Sequence, residues 1–167
     1  MTALQAASGG GTELLQLLLD AGADIDAPGV GTFGKTALQR AAGDGIVEEV
    51  QFLLRRGANV NAPPARDQGG TALQMAVRYG RMQIVLMLIS AGAKVNAERA
   101  EMMGYTALEE ATITGRPDMV EFLMKSAVKQ GVLADMKVRP EIKRAEGKGF
   151  SREVRADGTA VHIKLNV

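Results

Sequence analysis

Two kinds of apolar block alternate four times between residue 2 and about residue 127: a short alanine-rich run and, past a glycine, a longer run rich in leucine and valine. Thr36-Ala37-Leu38-Gln39 returns as Thr71-Ala72-Leu73-Gln74 and as Thr106-Ala107-Leu108-Glu109, each 35 residues further on. Thr2-Ala3-Leu4-Gln5 stands 34 residues before the first of these. A second landmark trails the blocks as Leu19-Asp20-Ala21-Gly22-Ala23-Asp24, Leu54-Arg55-Arg56-Gly57-Ala58-Asn59 and Ile89-Ser90-Ala91-Gly92-Ala93-Lys94. A fixed period of this length predicts one helix–turn–helix unit repeated in tandem.

The second unit illustrates the physics. Thr36 is placed to cap a helix by offering its hydroxyl to free backbone N–H groups. Ala37, Leu38, Ala41 and Ala42 give that helix a small surface that neighbours can approach, and Gly45 ends it in the left-handed conformation. Val47, Val50, Phe52, Leu53 and Leu54 then supply the apolar side of a second helix, which Gly57 stops. Neither short helix can bury its apolar side alone, so each unit is stabilised by stacking on the next.

These residues resemble ankyrin repeats, whose pattern runs Thr-Pro-Leu-His-x-Ala-Ala, a glycine, an apolar helix and Gly-Ala-Asp-Val-Asn-Ala. The resemblance covers residues 2 to about 127. It implies an all-α repeat fold, an α-solenoid of four ankyrin helix–turn–helix repeats with hairpin fingers, at about 1–33, 34–68, 69–103 and 104–131. It also implies partner binding along the fingers and the concave helical face. The proline and histidine of the motif are replaced here by alanine and by glutamine or glutamate. Gln39 and Gln74 keep both donor and acceptor capacity, so hydrogen bonding between neighbouring repeats is expected to survive. The Thr-Ala-Leu-Gln variant resembles that of fungal ankyrin proteins. The period exceeds the family's, about 33, and the extra residues fall in the fingers Pro28 to Lys35, Pro63 to Gly70 and Glu98 to Tyr105.

At the ends the pattern changes. The first helix pair presents Leu4, Leu14, Leu15, Leu17, Leu18 and Leu19 with little polar capping, and reads as cut from a longer array. Ala127 replaces the stop glycine of the other units, so the last long helix, started at Arg116-Pro117, is expected to run to about Gln130 and end near Gly131. Residues 132–167 form a C-terminal extension. Within it Phe150 to Leu165 alternates around Asp157-Gly158, which predicts a β-hairpin at 150–165 with Phe150, Val154, Val161, Ile163 and Leu165 on one face, capping repeat four.

Composition narrows the chemistry. There is no cysteine, which removes disulfides, thiolate metal sites and cysteine nucleophiles and fits a reducing compartment. His162 is the only histidine and is expected to be exposed on the hairpin, so no metal or other cofactor is expected. The start carries no signal peptide pattern, and the longest apolar run, Ile84 to Ile89, is far too short to span a bilayer. A cytoplasmic protein is therefore expected, with the nucleus as second choice. Up to Met124 there are ten basic and fourteen acidic residues, a net of −4; from Lys125 there are ten and five, a net of +5. The basic tail has one aromatic, Phe150, and interrupting acids, so nucleic acid is not an expected partner. Gly9-Gly10-Gly11 lacks the lysine and strand of a phosphate loop. Glu48-Glu49 and Glu109-Glu110 read as solvated helix surface.

What remains are the residues that repeat architecture sends outward. In the fingers these are Val30, Phe33 and Lys35, then Arg66, Asp67 and Gln68, then Arg99, Met102, Met103 and Tyr105. At the first-helix ends they are Asp44, Arg78, Tyr79, Ile113 and Thr114. Tyrosine, arginine and methionine are enriched at interface cores, so Arg78, Tyr79, Met103 and Tyr105 form the preferred hot spot. Packing of Met103 and Tyr105 between fingers, and pairing of Arg78 with Asp44, are the structural alternatives. The expected function is a protein-interaction scaffold within a larger regulatory or signalling protein. One rival is an enzyme using Glu109, Glu110 or Tyr79 in the groove. The other is a structural module that self-associates through open stack ends, which sets a monomer against weak self-association.

Overall fold

The structure is a computed structural model that describes residues 2–28, 34–66, 69–102 and 104–135, together with strands at 150–154 and 161–165. It divides into two compact units, Met1–Met136 and Lys137–Val167. The first unit is a stack of helix pairs: α1 Ala3–Ala7 with α2 Thr12–Asp20, α3 Ala37–Asp44 with α4 Val47–Arg55, α5 Ala72–Arg78 with α6 Met82–Ser90, and α7 Ala107–Ile113 with α8 Pro117–Gln130. First helices lie on first helices, α1 on α3 on α5 on α7, and the second helices α2, α4 and α6 pack in the same order. A 3₁₀ turn at Leu133–Asp135 follows α8.

Every first helix starts on a reciprocal cap. The Thr36 hydroxyl accepts from the Gln39 backbone N–H at 3.2 Å, and the Thr36 N–H donates to Gln39 Oε1 at 2.9 Å. Thr2 with Gln5, Thr71 with Gln74 and Thr106 with Glu109 repeat the arrangement. Each cap satisfies two orphan N–H groups and is worth about 1 kcal/mol. The glutamine amide does more. Gln39 Nε2 donates to the Ala62 and Pro63 carbonyls at 3.1 and 2.8 Å, and Gln74 Nε2 to those of Ala97 and Glu98, both at 3.0 Å. These bonds close each repeat on the loop that leaves it. They do not join neighbouring repeats as the sequence pattern suggested, because the chain returns past its own first helix before entering the next unit.

Second helices lack side-chain caps; Gly11, Ile46, Arg81 and Arg116 hold their N-cap places with no capping side chain. Burial supports them instead. Leu15, Val50 with Leu53, Ile84 with Val85 and Leu88, and Met119 with Val120 and Leu123 are all buried. α8 runs to Gln130 and stops on Gly131 at φ 69, as the missing glycine at position 127 predicts. The added turn has a use: Gln130 Nε2 donates to Ala93 O at 2.8 Å and its Oε1 accepts from Val95 N–H at 3.1 Å. Asn61 links repeats in a similar way, donating to Gly92 O and accepting from Lys94 N–H, while Asp26 accepts from Asn59 N–H.

One core position departs from the apolar rule. Glu49 is equivalent to Leu15, Ile84 and Met119 and is 1 % exposed. The expectation of a solvated Glu49 is thus corrected; Glu48 is the exposed member of the pair. The Glu49 carboxylate accepts from the Ser8 hydroxyl at 2.9 Å and from the Gly9 and Gly11 backbone N–H groups at 2.8 and 3.4 Å. A buried charge needs such partners, and the turn of repeat one, a residue shorter than its counterparts, supplies them.

In the second unit β1 Phe150–Val154 pairs antiparallel with β2 Val161–Leu165, Phe150 opposite Leu165 and Val154 opposite Val161. That is the register expected of the hairpin. Its Asp157-Gly158 turn lies outside the described residues.

Two stability predictions arise here. Gly45 and Gly22 both have positive φ, but a Cβ at Gly22 meets nothing within 4 Å, whereas at Gly45 it would lie 2.6 Å from Arg81 Nε. Gly22→Ala should therefore cost only the left-handed conformation, about 1–2 kcal/mol, and Gly45→Ala about the same, because the exposed Arg81 side chain can swing aside, as read from urea midpoints. Glu49→Leu restores the apolar pattern yet strands the Ser8 and Gly9 donors. It should lower stability by about 1–3 kcal/mol in the same measurement.

Candidate functional site

The C-terminal ends of the first helices carry the largest group of expected site residues. Gly43 of α3 brings α5 close: a Cβ there would stand 3.5 Å from the Tyr79 ring and 3.2 Å from Met75 Cε. Tyr79, the C-cap of α5, thus leans on α3 with 48 % of its surface exposed. Beside it Arg78 donates from Nε to Glu110 Oε1 at 2.8 Å, with Nη2 2.6 Å from the same oxygen. Arg78 therefore pairs with Glu110 of the next repeat. Asp44 pairs within its own helix with Arg40, at 3.5 Å. Ile113, one repeat on from Arg78 in register, is exposed at the end of α7.

Lys35, just before the cap of α3, is half-buried. Burial holds its ammonium below the usual lysine range. Asp44 opposes that shift, while the Arg78 and Arg40 charges add to it. The structure therefore brings Lys35, Asp44, Arg78 and Tyr79 into one neighbourhood, and adds Arg40 and Glu110, which sequence reasoning did not select.

The finger residues are more dispersed. Arg66 Nε bonds to Glu101 at 3.1 Å, both side chains largely exposed, and Met102 N–H donates to Arg66 O at 3.1 Å. This joins two neighbouring fingers. Met102 is exposed and Tyr105 half-buried. Phe33, Gln68 and Met103, with Val30 and Asp67, lie outside the described residues.

Glu109 and Glu110 are 1 % and 3 % exposed, so the expectation of solvated surface carboxylates is corrected here too. Glu109 caps Thr106 at 3.0 Å and has Arg99 4.0 Å away. Its burial was readable from its alignment with Gln39 and Gln74. That of Glu110 was not, because its partner comes from another repeat. Among the described residues, no group of three metal-ligating side chains could hold an ion, and no helix is long and apolar enough to cross a membrane.

The pattern of ankyrin repeats, in three copies, matches residues 3–99, more than half of the chain. The chain belongs to the ankyrin-repeat family. The α7–α8 pair lies past the matched residues and extends the ankyrin stack by a fourth repeat with the same threonine cap. No curated protein matches the chain. Ankyrin repeats generally mediate protein–protein interactions and are typically non-catalytic.

Removing the Arg78 side chain would leave the Glu110 carboxylate buried without its main partner. Arg78→Ala should lower stability by roughly 1–3 kcal/mol in urea unfolding. Arg66→Ala, breaking a pair in open solvent, should leave the midpoint unchanged.

Proposed function

We propose that this ankyrin stack is a protein-interaction scaffold of a cytoplasmic regulatory protein. It engages its partner through the first-helix ends and the neighbouring fingers. The supporting observation is the exposed Tyr79 ring, fixed on Gly43 and flanked by Arg78, whose own geometry is set by buried Glu110. A rigid aromatic beside an ordered arginine loses little freedom on binding, and such residues dominate interface energetics. Met102, Tyr105 and Ile113 extend the same surface toward the third finger and fourth repeat, and Lys35, Asp44 and Arg66 continue it toward the second. Phe33, Gln68 and Met103 are proposed to belong to its finger portion.

The enzyme reading is the weaker one, since Glu109 and Glu110 are each engaged and nearly inaccessible. The proposed scaffold uses no cofactor and no nucleic acid.

Capture from native cell extract tests the proposal. Tyr79→Ala should reduce capture of the partner by about tenfold or more, as expected for a hot-spot truncation. Half-buried Tyr105→Ala should have a smaller effect, and Glu121→Ala, on the second-helix side, none. Unchanged capture by Tyr79→Ala with an intact helical spectrum would remove the proposed surface.

A further inference from the structure

The turn between the two helices of each repeat ends on the N-cap of the second helix, which is Gly11, Ile46, Arg81 and Arg116 in order. From repeat two onward this side chain lies against a glycine of the preceding turn. Ile46 Cδ1 stands 4.0 Å from the place of a Cβ on Gly9. Arg81 Nε and Cζ stand 2.6 and 2.7 Å from the same place on Gly45, and Arg116 Cζ and Nη1 2.6 and 2.7 Å from it on Gly80. Isoleucine fills the position in repeat two, so the packing itself does not require a cation. Repeats three and four both have one.

Neither guanidinium forms an ion pair or a side-chain hydrogen bond among the described residues. Asp44, next to Gly45, pairs with Arg40 at 3.5 Å, and Asp118, two residues past Arg116, is exposed and joins no ion pair. Burial makes the lack costlier at Arg116, which is half-buried with its Nε enclosed and without an acceptor. A buried donor left unpaired lowers stability, and native structures keep few of them. An anion from outside compensates that cost by accepting from the other donors of the same guanidinium.

The two arginines adjoin the surface described above. The Tyr79 ring leans on Gly43, two residues before the glycine that Arg81 covers. One repeat further on, Thr114 and Arg116 correspond to Tyr79 and Arg81 in register, and Ile113 beside them is exposed.

We propose that Arg81 and Arg116 are the anion-binding positions of this surface, and that they take two carboxylates of an extended acidic segment of the partner protein. The inference rests on the interaction reading above and names the partner's chemistry. Packed helices lie about 8–10 Å apart, and an extended chain advances about 3.3 Å per residue. Acidic residues about three positions apart therefore match the two guanidinium groups. A nucleic acid fits less well. Asp44 and Asp118 disfavour a continuous run of phosphates, and Tyr79 is the one exposed aromatic among the described residues, where single-strand binders stack bases on several.

The test follows the arginine Nε–H signals of the full chain by NMR, assigned with Arg81→Lys and Arg116→Lys, as a Ser-Glu-Leu-Ser-Glu-Ser peptide is added. Both signals should shift together, with a Kd that rises with salt, and a peptide with glutamine for both glutamates should leave them in place. Arg81→Gln and Arg116→Gln should each raise the Kd about fivefold, in line with one partly exposed charge contact. Lys94→Met, at an exposed lysine past the end of α6, should not change it. Melting curves show whether each variant keeps its fold, and Arg116→Ile, with the residue type of repeat two, replaces Arg116→Gln if that one does not. The proposal is overturned if the acidic peptide fails to move both signals, if the glutamine peptide moves them equally, or if the arginine substitutions leave the Kd unchanged. Larger shifts from a ten-nucleotide oligouridine at the same concentration would also overturn it. Partner capture that depends on Tyr79 but on neither arginine would remove the acidic segment alone and leave the scaffold reading in place.

Discussion

Ala41, Ala76 and Ala111 stand one repeat apart and are fully buried, and the closeness they permit between α3, α5 and α7 is what the other contacts of the stack require. A larger side chain at any of them would force the helices apart, since a packed interior has no spare volume. Hydrogen bonds tolerate only a few tenths of an ångström. The bonds that cross repeats, Asn61 to Gly92 and Lys94, Gln130 to Ala93 and Val95, and Arg78 to Glu110, exist only at this separation. So does the approach of the Arg81 guanidinium to Gly45.

Within that frame polar groups enter the interior only where partners await them. Gln5, Gln39 and Gln74 are buried, yet each uses both ends of its amide, one on its own helix cap and the other on the loop leaving the repeat. In repeat four α8 continues past position 127, where the other repeats turn into that loop, and the glutamine position holds a different acceptor. The residue is Glu109, which keeps the capping acceptor and turns its charge toward Arg99 of the preceding finger. Glu49 follows the same logic at the first interface, where a shortened glycine turn exposes N–H groups that an apolar side chain could not satisfy. Specific polar contacts thus set the fit of repeats one with two and three with four, while the alanine faces set their distance.

Function rests on what this packing leaves outside. Second helices are anchored by leucine, isoleucine and valine, and first helices by alanine and capped glutamine, and the first-helix C-termini emerge at the edge of that core. That is where Asp44, Tyr79 and Thr114 differ at one register position, and Gly43, Arg78 and Ile113 at the next. Variation at a fixed, rigid site is how repeat proteins acquire distinct surfaces from one scaffold. The Arg78–Glu110 pair belongs to both layers: its carboxylate lies in the interior and its guanidinium orders the neighbouring tyrosine's surroundings.

Much of this was legible from the residues alone, because it depends on local chemistry. Threonine three residues before glutamine or glutamate makes a capping box wherever it occurs, glycine stops a helix, and the loss of one at Ala127 lengthens α8. A period of 35 residues then requires stacking, since no helix pair can cover its own apolar face. Among the site residues, Tyr79, Ile113 and Met102 were placed outward correctly on the same grounds. Tertiary structure alone decided which charges meet. Glu49 reads like any helix-surface acid until repeat one brings Ser8 and Gly9 to it, and Arg78 looks toward Asp44 until α7 sets Glu110 beneath it. The periodicity of a helix specifies which side of it is buried, but a charge takes its partner from another repeat, 32 or more residues away, and only the packed distance between helices selects that partner.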